Sequence, residues 1–73
     1  MTNKLNRSDY LILDTLHSSN MTDQFHSMTI EEIMEETGNV LGVRMTVYRM
    51  VTKLVKLGYL EKGVMDNHAN TYY

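Results

Sequence analysis

The segment from Val43 to Leu57 constrains this chain most. Val47, Met50, Val51 and Leu54 recur at i, i+3, i+4 and i+7, which gathers apolar side chains on one face of a helix. Gly58 follows where a helix of that length needs its stop. At ~100° per residue, the opposite face carries Met45, Arg49, Thr52 and Lys56, with Thr46 and Lys53 on one flank and Tyr48 at the border. No acid stands between Arg44 and Leu60. The helix therefore has one side that must be buried and one that is basic and polar. The chain has 73 residues in all, room for a single domain over 1–73. Chains of this size bury only ~60% of their unfolded surface, which argues against a deep pocket with a buried catalytic constellation.

The partners for that apolar stripe are legible upstream. Thr29-Ile30-Glu31-Glu32 is a T-x-x-E capping box, with Met28 and Ile33 placed for a hydrophobic staple. A short second helix should follow, burying Ile30, Ile33 and Met34, exposing Glu31, Glu32, Glu35 and Glu36, and stopping at Gly38. Ser8 is the expected N-cap of a first helix over about Asp9–His17, with Asp9 favouring its dipole and Tyr10, Leu13 and Leu16, with Ile12 beside Leu16, forming its stripe. Residues 1–7 are expected to be a flexible arm carrying Lys4 and Arg7, although Leu5 could fold back onto the core. Residues 18–27 read as a loop with a short strand near Phe25–Met28, and Phe25 is expected to plug the core. Between the second and third helices, Val40 or Leu41 should point inward. After Gly58, the β-prone run Tyr59–Met65, the turn residues Asp66-Asn67-His68-Ala69-Asn70 and the closing Thr71-Tyr72-Tyr73 read as a hairpin.

Charge sharpens the picture. The net charge of −2 is unevenly spread. Residues 8–36 hold seven acids and no lysine or arginine, whereas residues 37–63 hold five bases against Glu61 alone. Such asymmetry offers one face to an anionic partner, although two solvated helix faces of opposite sign would look the same. There is no cysteine, which excludes disulfides and thiolate metal sites. The longest apolar run, Tyr10–Leu13, is far short of the ~20 residues that span a bilayer, and no signal-like segment follows Lys4 and Arg7. A soluble, cytoplasmic protein with no membrane partner is the expectation. No nucleophile elbow, phosphate-cradling glycine loop or H-E-x-x-H is present, so neither an enzyme nor a cofactor is expected. His17, His26 and His68 are too dispersed to read as a metal site, and no small-molecule ligand is evident.

The order helix, short strand, helix, turn, longer helix, hairpin is that of an α+β winged helix-turn-helix, a three-helix core with a C-terminal β-hairpin wing. The chain resembles small bacterial winged-helix regulators such as the MarR-like groups in Thr46-Val47-Tyr48-Arg49 and in Leu54-Val55-Lys56-Leu57-Gly58-Tyr59-Leu60. The resemblance spans about residues 8–73. It implies that helix 43–57 is a recognition helix for double-stranded DNA and that the hairpin is its wing. One departure is the stretch Asn39–Met45, longer than the tight turn of those proteins.

Physics of the groove fits the same residues, because a helix enters the major groove and its N-terminal half meets the base edges. Arg44 and Arg49 can each donate to guanine O6 and N7, Met45 can meet a thymine methyl, and Thr46 and Tyr48 can reach a base edge or a phosphate. Thr52 shares their face; Lys53 and Lys56 suit phosphates. Lys62, Asn67 and His68 on the wing could touch the backbone or the minor groove. The expected function is a sequence-specific DNA-binding regulator of transcription, with a possible homodimer on a pseudo-palindromic site. Two alternatives stay open: a winged-helix module that docks on another protein, and a plasmid or phage replication, partition or excision factor.

Overall fold

The computed structural model describes residues 5–65 and 69–73. Three helices, α1 (Arg7–Ser18), α2 (Ile30–Glu36) and α3 (Arg44–Lys56), surround one apolar core, with strands β1 (Met28–Thr29) and β2 (Thr71–Tyr72) along its edge. The fold class is α+β, as expected.

Local signals set the helix ends. At α2 the Thr29 hydroxyl accepts the Glu32 amide at 3.2 Å, and the Glu32 carboxylate accepts the Thr29 amide at 2.9 Å. Met28 and Ile33, flanking this box, are both buried. The cap of α1 is Asn6 and not Ser8. Its side chain accepts the Asp9 amide at 2.9 Å, while Asp9 Oδ2 accepts the Asn6 amide at 3.0 Å. Asparagine and aspartate thus form the same reciprocal box that threonine and glutamate form at α2. Leu5 packs against the core and Arg7 opens α1, so the expected arm over 1–7 loses its last three residues to the fold.

All three helices end alike. A residue at positive φ stands just past each end: Asn20 (58°), Gly38 (69°) and Gly58 (87°). The following amide then reaches back into the last turn, from Met21 to the Leu16 carbonyl, Asn39 to Met34 and Tyr59 to Leu54, at 2.8–2.9 Å. Glycine fits the left-handed position without a Cβ penalty, and asparagine is the common substitute. After α2 the chain needs residues 37–43 to turn before α3, consistent with the long connection read from the sequence. Leu41 points inward there and Val40 stays exposed.

The core is the stripe of α3 met by α1 and α2. Val47, Val51 and Leu54 are wholly buried, with Ile12 and Leu16 from α1 and Ile33 from α2 against them. The stripe of α1 runs through Asp9, Ile12 and Leu16, which corrects the expected one: Tyr10 is 60% exposed and Leu13 only half-buried.

The sheet is smaller than the sequence implied. β1 pairs antiparallel with β2, Met28 opposite Tyr72 and Thr29 opposite Thr71. The other edge of β2 meets residues 61–63. Glu61 and Tyr73 exchange amide-to-carbonyl bonds of 2.9 Å each, and the Gly63 amide donates to the Thr71 carbonyl at 2.9 Å. Pairing with β2 starts at Glu61, because Tyr59 and Leu60 still donate to the Leu54 carbonyl at the end of α3. Gly63 sits where a Cβ would lie 2.5 Å from Ser27 Oγ and 2.8 Å from both the Gln24 carbonyl and Thr71 Oγ1. Phe25 does not plug the core; it is 71% exposed. Asp23 Oδ1 accepts the amides of Phe25 and His26 at 2.8 Å each, and this side-chain-closed turn leaves the phenyl ring in solvent.

Candidate nucleic-acid interface

The buried stripe of α3 leaves its other side outward, and the side chains there are those the sequence singled out. Arg49 and Lys56 are exposed, Met45 is 58% exposed, Tyr48 is 42% exposed, and Thr46 is exposed beside Gly42. Thr52 and Lys53 are half-buried at the margin. Tyr48, Arg49, Thr52, Lys53 and Lys56 line one shallow groove of about 320 Å³. The stems of lysine and arginine give it apolar walls, while their charged ends stay at the surface.

The cations on this helix are not equivalent. Lys53 Nζ lies 2.5 Å from Oδ2 of Asp9, whose side chain is completely buried. Asp9 Oδ1 has no hydrogen-bond partner, so Lys53 is the main compensation for a carboxylate taken out of water. Arg44, the first residue of α3, donates from Nε to Glu31 Oε2 of α2 at 2.5 Å, and both side chains are 58% exposed. That guanidinium holds the Glu31 carboxyl below the usual glutamate range. Among the described residues, Arg49 and Lys56 have no carboxylate partner, and theirs are the positive charges of α3 left uncommitted.

A second cleft, about 170 Å³, opens where α2 and α3 begin and the chain approaches β2. Arg44, Tyr48 and Asn70 contribute polar groups to it, over a floor that includes Tyr72. Burial raises the Tyr72 hydroxyl above the usual tyrosine range, with Tyr48 adding to the effect, while Asn70 and Arg44 oppose it. Tyr48 therefore joins the two clefts. Lys62 lies exposed on the hairpin edge and lines neither. Asn67 and His68 lie outside the described residues.

Asp9 caps its own helix as well as favouring its dipole, and the Asn6-x-x-Asp9 spacing is the sequence signal for that role. Glu31 is more than a solvated acid, and nothing local to it in the sequence points at Arg44, 13 residues away. Among the described residues, no three His, Asp or Glu side chains converge as metal ligands, and no helix is long and apolar enough to cross a membrane.

No known family matches the sequence, and no curated protein matches it. A solved structure does: the solution structure of the DNA-binding TubR fragment from Clostridium Botulinum superposes with a TM-score of 0.71, over 96% of this chain and 83% of that one, at 24% identity. This likeness shows the fold: the chain is an α+β winged helix-turn-helix.

Proposed function

We propose that this protein binds double-stranded DNA in a sequence-specific way, inserting α3 in the major groove, and that it regulates transcription in the cytoplasm. The carrying observation is the outward face of α3, where Arg49 and Lys56 stand exposed beside Tyr48 and Thr52 with no acid on the helix. The fold it shares with a DNA-binding fragment supports the reading, as does the likeness of Thr46-Val47-Tyr48-Arg49 to MarR-like regulators. Arg49 reads a guanine edge, Met45 and Thr46 meet neighbouring bases, and Lys56 takes a phosphate. Arg44 and Lys53 are each already paired with a carboxylate, Glu31 and Asp9. Lys62, Asn67 and His68 of the wing contact the backbone. A homodimer would place two such helices on half-sites about one helical turn apart. The same chemistry serves a replication, partition or excision factor.

The test compares two variants on a selected site. Arg49→Ala lowers affinity by ~1–3 kcal/mol and relaxes one base position. Lys56→Ala weakens all sequences alike and reduces the slope of log K against log salt by about 1. Unchanged binding by both at low salt refutes the assignment.

The exposed acids Glu32, Glu35 and Glu36 on α2 favour a second reading, docking on a basic protein surface. Absence of retention on random duplex at low salt selects it.

A further inference from the structure

The leading end of α3 holds an ion pair in an unexpected place. Arg44 is the first residue of that helix, and Val43 before it provides no side-chain cap, so positive backbone and side-chain groups collect there. Such an end attracts anions. It lies at the cleft that Tyr48 and Asn70 also line. Yet the anion present is the protein's own. Glu31 Oε2 takes the Nε hydrogen of Arg44 at 2.5 Å. The Nε edge of a guanidinium is one of the edges through which it grips a phosphate bidentately, so a phosphate that uses this edge competes with Glu31 for the same donor.

We propose that Glu31 is an internal competitor for Arg44: it holds the guanidinium in the unbound protein and yields it to a DNA phosphate at the Arg44–Tyr48–Asn70 cleft. This rests on the DNA-binding reading above and adds an affinity-setting residue to it. Duplex that grips Arg44 through its Nε edge displaces the carboxylate, so Glu31 lowers affinity for it. Arg44 holds the Glu31 carboxyl below the usual glutamate range, which agrees with a carboxylate that stays charged and paired. Both groups are half in solvent, so the competition is modest. An exposed pair corresponds to an effect of about two- to fivefold in affinity.

The test is fluorescence anisotropy of a labelled random-sequence duplex over a salt series. Wild type, Glu31→Gln, Glu35→Gln, Arg44→Gln and the Glu31→Gln/Arg44→Gln double variant are compared, each checked for folding by circular dichroism. Glu35→Gln removes the same charge from the same helix without touching Arg44. Glu31→Gln is expected to bind about two- to fivefold tighter at low salt and to lose that gain as salt rises. Glu35→Gln should gain less than half as much. In the Arg44→Gln background, Glu31→Gln should gain no more than Glu35→Gln does in wild type. Equal gains from the two glutamate variants, or an undiminished Glu31→Gln gain without Arg44, overturns the proposal while leaving DNA binding intact. If wild type fails to hold duplex at low salt, both this proposal and the proposed function fall.

Discussion

Replacing Lys53 with methionine separates a folding role from a binding role on the recognition helix. Lys53 Nζ is 2.5 Å from Asp9 Oδ2, and Asp9 is completely buried with its other oxygen unpartnered. Methionine keeps most of the apolar stem and removes the charge. The carboxylate then retains only the Asn6 amide as a close donor. Removing one partner of a fully buried pair costs ~3–5 kcal/mol, and the half-exposed lysine end reduces this to about 2–3 kcal/mol. A domain of this size has a total stability of about 4–11 kcal/mol, so the loss is a large share of it. With a urea slope near ~1 kcal/mol/M for so small a chain, the unfolding midpoint should fall by about 2–3 M. Asp9→Asn removes the charge while leaving an acceptor for the Asn6 amide. In that background Lys53→Met should cost under ~1 kcal/mol, and the difference between the two costs is the coupling of the pair. A midpoint shift below ~0.5 M in the single variant, or equal costs in both backgrounds, refutes the reasoning. The practical consequence is that weak DNA binding by a Lys53 variant reports lost fold before it reports a lost phosphate contact.

Gly63→Ala should destabilise by ~1–3 kcal/mol, because its Cβ would lie 2.8 Å from the Gln24 carbonyl and overpacking against backbone relaxes poorly; a melting temperature unchanged within a degree contradicts this. Tyr72 should ionise above the usual tyrosine value. Its folded-state pKa is raised by burial, so its contribution to stability is intact below the usual tyrosine value of 10.0 and is lost as pH rises through the folded value. Tyr73 is also raised, by burial and by Glu61, so phenolate absorbance should show late-titrating groups, one of which Tyr72→Phe removes. Ionisation of every tyrosine together at the ordinary value contradicts the burial argument.

What the sequence disclosed was mostly local. The α3 stripe, the Thr29 capping box and the glycine stops at 38 and 58 each act within a few residues, and all appear in the fold. The outward set Met45, Tyr48, Arg49 and Lys56 follows from helical angle alone once the buried side is known. The departures in α1, in the loop before β1 and at Arg44 and Lys53 share one cause, side-chain chemistry overriding apolar pattern. In α1 an acid occupies a buried position, so the stripe could not be found by counting apolar residues. In the loop, Asp23 closes a turn that turns a phenylalanine outward. At α3, the partners of Arg44 and Lys53 lie 13 and 44 residues away, beyond any spacing rule. The hairpin was over-extended because the β-prone Tyr59 and Leu60 are consumed in closing α3.

The central claim, that α3 reads DNA sequence, is tested most directly by selecting bound duplexes from a random pool with wild type and Arg49→Ala in parallel. Wild type should enrich a defined motif, with two half-sites about one helical turn apart if the protein pairs, and Arg49→Ala should lose preference at one position of each half-site. Recovery of no motif by wild type, at salt low enough to retain duplex, contradicts the claim.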